Sequence, residues 1–86
     1  MYDYEKQKPE LFTDIGQRVF LRVRDWIHKT LPVSGAVRMQ EILTNSGTCS
    51  SWDALASVDR MVELGEIVAV NPHANPAQDR IYIKRG

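Results

Sequence analysis

The side chains able to carry out covalent or acid–base chemistry are few and scattered. Cys49 is the only cysteine, and the two histidines, His28 and His73, lie far apart. None of the three has a partner at a spacing that would make a nucleophile and base, and there is no Gly-rich phosphate loop or metal-spaced His/Asp set. Zinc needs several thiolate or imidazole ligands together, so no metal and no cofactor is expected. Cys49 reads as a small packed residue in a turn, and the chain is not expected to be an enzyme. What the second half does carry is a series of donors and cations: Thr48, Ser50, Ser51, Ser57, Arg60, Arg80, Lys84 and Arg85, with Trp52 and His73 among them. Hydroxyl and guanidinium groups donate to phosphate oxygens or base edges, and arginine can hold guanine through two parallel bonds. Asp53, Asp59 and Glu63 are interleaved with Arg60, however, and carboxylates are repelled by phosphates.

The elements that must position these residues follow from the apolar spacing. Residues 1–12 read as an N-terminal arm whose apolar content is Tyr2, Tyr4, Leu11 and Phe12, with residues 13–86 as one domain. Asp14 is expected to cap the first helix, with Gln17 completing a capping box. Ile15, Val19, Val23, Trp26 and Ile27 then recur at helical spacing until Pro32, which is expected to stop the helix. Arg18, Arg22 and Lys29 fall in one arc of this helix, broken only by Asp25, as a secondary basic patch.

Pro32-Val33-Ser34-Gly35 is expected to be a short extended connection to a second helix over residues 36–44. A turn through Thr48 and Cys49 leads to a third helix, capped by Ser50 or Ser51 and running to about Leu64, with Ala54, Val58, Met61 and Val62 inward. Trp52, Asp53, Ala56, Asp59, Arg60 and Glu63 then face solvent, and Ser57 is expected within reach of a ligand. Two strands close the chain, Ile67–Val70 and Arg80–Lys84. In the second, Ile81 and Ile83 are expected inward and Tyr82 outward. The Pro- and Asn-rich segment between them reads as a loop.

Composition sets bounds on partners. Hydrophobic residues make up 43% and charged residues 26% of the 86 residues, which is globular. Eleven Lys and Arg balance eleven Asp and Glu, which weighs against a mainly phosphate-driven grip on nucleic acid. No apolar run approaches the roughly 20 residues needed to span a bilayer. The polar N-terminus is not expected to be a secretory signal, and the single cysteine suits a reducing cytoplasm.

The order helix, short extended piece, helix, turn, helix, strand, loop, strand resembles the winged helix-turn-helix superfamily. Val58-Asp59-Arg60-Met61-Val62-Glu63-Leu64-Gly65-Glu66-Ile67 resembles the end of that family's third helix and its entry into the first wing strand. Val33-Ser34 followed by Met39-Gln40-Glu41-Ile42-Leu43 resembles its entry into the second helix. The resemblance covers residues 13–85 and implies an α+β fold, three helices followed by a two-stranded wing. It also implies that the third helix lies in the DNA major groove and the loop acts as a wing.

Two principal readings follow. In the first, the chain is a small DNA-binding protein, a transcriptional regulator that engages double-stranded DNA through Thr48, Ser50, Ser51, Ser57, Arg60, Arg80, Lys84 and Arg85. In the second it is a protein-interaction module, an assembly subunit, adaptor or inhibitor, motivated by the acidic third helix, exposed Trp52 and a wing tip with His73 but no Arg or Lys. A weaker third reading has Trp52 and Tyr82 stacking on single strands. A homodimer through the arm and first helix is expected if Tyr2, Tyr4 and Leu21 cluster.

Overall fold

The longest element forms where the apolar spacing runs longest. In a computed structural model describing residues 2–47 and 51–85, α2 (Asp14–Ser34) turns Val23, Ile27 and Leu31 into the core. Its N-cap is Thr13 rather than Asp14: Thr13 is extended (φ −82°, ψ 163°) and its hydroxyl accepts from the Gly16 N–H. The Gln17 side chain donates to the Leu11 carbonyl instead of closing a capping box. Pro32 does not stop α2, which runs two residues further. Proline this near the C-terminus removes a single ladder bond, and Gly35, left-handed at φ 80°, supplies the terminating cap by donating to the Leu31 carbonyl at 2.8 Å.

The extended connection lies later than the sequence suggests. Residues up to Ser34 belong to α2, and the strand β1 (Val37–Arg38) leads straight into α3 (Met39–Asn45). The Arg38 N–H donates to the Glu41 carboxylate at 3.0 Å, which secures the start of α3. α4 (Ser51–Glu63), β2 (Ile67–Ala69) and β3 (Ile81–Lys84) follow. β3 is central in an antiparallel sheet of order β1-β3-β2, with Val37 opposite Tyr82, Val68 opposite Ile83 and Ala69 opposite Tyr82.

This register reverses the expected phase of the last strand. Tyr82 is buried beside Val37 and Ile67, whereas Ile81 and Ile83 are only partly covered on the other face. Tyr82 won the inward position because its ring fills the volume between the sheet and the helices, where Val23, Ile27, Met39, Ile42, Val58 and Met61 meet. Its hydroxyl is buried without a hydrogen bond of normal geometry among the described residues. Burial pushes its pKa up, with the Arg80 guanidinium opposing. Tyr82→Phe is therefore expected to leave stability within about 0.5 kcal/mol or to raise it, because an unpaired buried hydroxyl is a cost. Urea unfolding checks this, and a loss above about 1 kcal/mol would reveal a bond that the geometry does not contain.

The connection between β2 and β3 is pinned by Asn71, whose side chain accepts from the Ile81 N–H at 2.7 Å and donates to the Asp79 carbonyl at 3.1 Å. It carries a cis Asn75–Pro76 bond and a short 3-10 turn (Ala77–Asp79) that packs against α3. The first residues form structure too: α1 (Tyr4–Gln7) runs into a 3-10 turn (Lys8–Phe12), and both lie against α4. No helix is long and apolar enough to cross a membrane among the described residues.

Candidate functional site: the outward face of α4

α4 is packed on two sides. Ala54, Val58 and Met61 point to the core, and α2 is its main neighbour. On its opposite side the sequence places Trp52, Asp53, Ala56, Asp59, Arg60 and Glu63, and on these the N-terminal arm is laid. The Tyr2 hydroxyl donates to Asp59 at 2.6 Å, and the Tyr4 hydroxyl to Glu63 at 3.1 Å. The Gln7 amide donates to Asp53 at 2.9 Å, and the Lys8 ammonium to Glu63 at 3.0 Å. The Tyr2 ring meets Trp52 edge-on, with centroids 6.4 Å apart. Leu11 anchors the arm's far end and is 2% exposed.

Two expectations fall here. Ala56 is fully buried instead of solvent-facing. Ser57 is fully buried as well, and its hydroxyl donates to the Asp53 carbonyl at 2.8 Å, so it is neither exposed nor available to a ligand. The expected apolar stripe of α4 was too narrow, because a helix covered on two sides buries more than one arc. Trp52 does stand partly exposed, at 46%, and Ser51 is exposed. Thr48, Cys49 and Ser50 lie outside the described residues.

The charges of this face are used within the chain. Arg60 pairs with Glu63 and lies 5.7 Å over the Phe12 ring. Arg80 approaches Asp59 at 3.5 Å. Hydrogen bonds from Lys8, Arg60 and Tyr4 pull the Glu63 carboxyl down to about 2 against a weak burial effect. Burial, reinforced by Glu63, pushes Tyr4 up to about 12. Asp59 goes the other way: burial raises it above the ordinary carboxylate range, and Tyr2 and Arg80 only partly offset this.

The signs give a pH dependence. Glu63, depressed in the fold, contributes stability that is present above the ordinary glutamate range near pH 4.5 and lost as pH falls toward about 2. Asp59, raised in the fold, contributes in the opposite sense: its share is present below the ordinary aspartate range and lost as pH rises through its folded pKa. Comparing wild type with Glu63→Gln between about pH 5 and pH 2 is expected to show an acid-induced loss of arm docking that the variant lacks. Trp52 fluorescence follows it, and superimposable profiles would contradict the Glu63 pairing.

The remaining cations are dispersed. Lys84 is exposed on β3, and the Arg85 side chain runs past Gly65. On α2, Arg18 and Lys29 are exposed, and Arg22 donates to the Gly47 carbonyl at 3.1 Å. Also on α2, Arg24 and His28 each meet Glu66 at 2.9 Å. Burial alone would raise Glu66, but these two partners together hold it below its usual range. Leu21 stays exposed on α2 while both arm tyrosines are committed to α4.

Beside the arm lies a cleft of about 550 Å³ between Tyr2, Leu55 of α4 and the β2–β3 loop, with His73 at its rim and Arg80 in its wall. Sequence reasoning singled out Trp52 and His73 and read residues 1–12 as an arm, but did not place that arm on α4. The signal available was the matching chemistry of Tyr2, Tyr4, Gln7 and Lys8 to the carboxylates of the third helix, together with a glycine, Gly16, in the first turn of the first. Among the described residues no group of three or more His, Cys, Asp or Glu side chains is placed to hold a metal ion. In comparisons with known proteins, no family model, curated protein or solved structure matches the chain.

Proposed function

We propose that this chain is a winged helix-turn-helix domain that works as a protein-interaction module rather than by reading DNA through α4. Of the four α-helices among the described residues, α2, α3 and α4, with the strand β1 ahead of α3 and a β2–loop–β3 wing, support the family reading. One observation carries the functional part: the face of α4 that would enter a major groove is occupied by the chain's own arm. Displacing the arm would not make the face a DNA reader, because it would uncover Asp53, Asp59 and Glu63 with Arg60 and Arg80 as the nearby cations. Trp52 and the neighbouring cleft offer the half-exposed aromatic and concave surface that protein partners use.

DNA binding is the second reading. It now rests on Lys84 and on Arg18 and Lys29 of α2, which are exposed and would act as phosphate contacts. Single-strand stacking through Tyr82 is set aside, since that ring is buried. Fluorescence anisotropy of a labelled mixed-sequence duplex across a salt series separates the two main readings. At low salt, where nonspecific attraction is strongest, no saturation is expected below about 100 μM, the weak end of nonspecific binding. Micromolar binding that falls steeply with salt and is weakened by Lys84→Ala and Lys29→Ala would overturn the proposal.

A further inference from the structure

The cleft beside the arm has an asymmetric chemistry. Its walls are Tyr2, Leu55, Pro72 and Pro76 on the apolar side, and its ionisable side chains besides Tyr2 are His73 and Arg80, with no carboxylate among the described residues that line it. Arg80 is only loosely paired. Its Nη1 stands 3.5 Å from one Asp59 oxygen, while the other Asp59 oxygen is taken by the Tyr2 hydroxyl at 2.6 Å. Its Nε is buried without a hydrogen-bond partner among the described residues. A guanidinium has five donors in a fixed fork; with Nε turned to the interior, the donor capacity this one retains toward the open cleft lies on its terminal nitrogens.

We propose that this cleft binds the C-terminal end of a partner polypeptide, its terminal carboxylate on Arg80 and its last apolar side chain against Leu55, Pro72 and Pro76. The inference rests on the protein-interaction reading above and names the chemistry of the partner. A planar carboxylate suits the fork of one arginine. A phosphate group, with more charge to neutralise, would meet a single full cation with Asp59 close behind it. The volume of about 550 Å³ matches a few residues of peptide and falls within the range of ligand clefts. Trp52 lies edge-on to the ring of Tyr2, which lines the cleft, and so is placed to report occupancy.

The test uses the full chain and a pool of N-acetylated tetrapeptides ending in leucine, prepared as free acids and as C-terminal amides. Titration is followed by the NMR signals of the Trp52 indole and the backbone amides of residues 72–78. The free acids are expected to bind at least about 10-fold more tightly than the amides, the loss of one charge-assisted pair. Gln78→Glu, an exposed change that puts a like charge at the cleft, is expected to weaken the free acids by a similar factor without altering the fold. Equal binding of acids and amides, no shift with either at about 5 mM, or displacement by inorganic phosphate at equal concentration would each overturn the proposal. These failures are distinct from failure of the protein-interaction reading, which the duplex DNA titration decides.

Discussion

Replacing Gly16 by alanine is expected to destabilise the protein by about 1–3 kcal/mol and to lift the arm from α4. The sign is the informative part. Gly16 lies in the first turn of α2, and glycine-to-alanine changes inside helices ordinarily stabilise by about 1 kcal/mol. Here the arm's backbone rests directly on the missing side chain. A Cβ would fall 1.8 Å from the Glu10 carbonyl oxygen and 2.8 Å from the Leu11 Cα. Those are main-chain atoms that cannot rotate aside, so either the 3-10 turn or α2 must move. Because Leu11 and the Tyr2–Asp59 contact lie in the same segment, the displacement is expected to expose Trp52 further. Urea unfolding and Trp52 emission measure the two effects; a variant as stable as wild type, with unchanged emission, would show that the arm does not sit on Gly16.

The second large effect is expected at Ser57. As a surface residue of a DNA-reading helix, Ser57→Arg would be harmless or would improve phosphate binding. In a fully buried position, with its hydroxyl already used by the Asp53 carbonyl, an arginine brings an unpaired charge and far too much volume. A cost above about 3 kcal/mol is expected, enough to abolish or nearly abolish folding in a domain of this size. Trp52→Arg, five residues earlier on the same helix and half exposed, serves as the control and is expected to cost no more than about 1 kcal/mol. A folded Ser57→Arg protein with an unchanged urea midpoint would contradict the packing described for α4.

The local signals of the sequence carried well where one face of an element met one neighbour. Val23 and Ile27 on α2, and Ala54, Val58 and Met61 on α4, stand in the core at the helical spacing their positions imply. The readings that failed share a different physical setting. Ser57 and Ala56 sit on a helix enclosed from two sides, where polarity and size say little about exposure. Tyr82 looked like the polar member of an alternating strand, but an aromatic ring with one hydroxyl is mostly apolar surface and took the inward position. Pro32 looked like a stop, yet proline in the last turn of a helix forfeits little that a left-handed Gly35 cap does not replace. The docking of the arm on α4 was the main gap. The arm's residues are polar and interrupted by Pro9, and their meaning lies in long-range pairing with Asp53, Asp59 and Glu63, which no local pattern encodes.

That pairing lays the arm across the face of α4 that the winged-helix reading would place against DNA. On the proposed reading, Trp52, the adjoining cleft and the β2–β3 loop are the surface that a partner would meet. The most direct measurement is a two-dimensional nuclear Overhauser spectrum of the full chain at neutral pH. Cross-peaks are expected between the Tyr2 ring and the Trp52 indole, and between the Tyr4 ring and the Glu63 side chain. Random-coil shifts for residues 2–10 without any cross-peak to α4 would contradict the account, because the outward face of α4 would then be open.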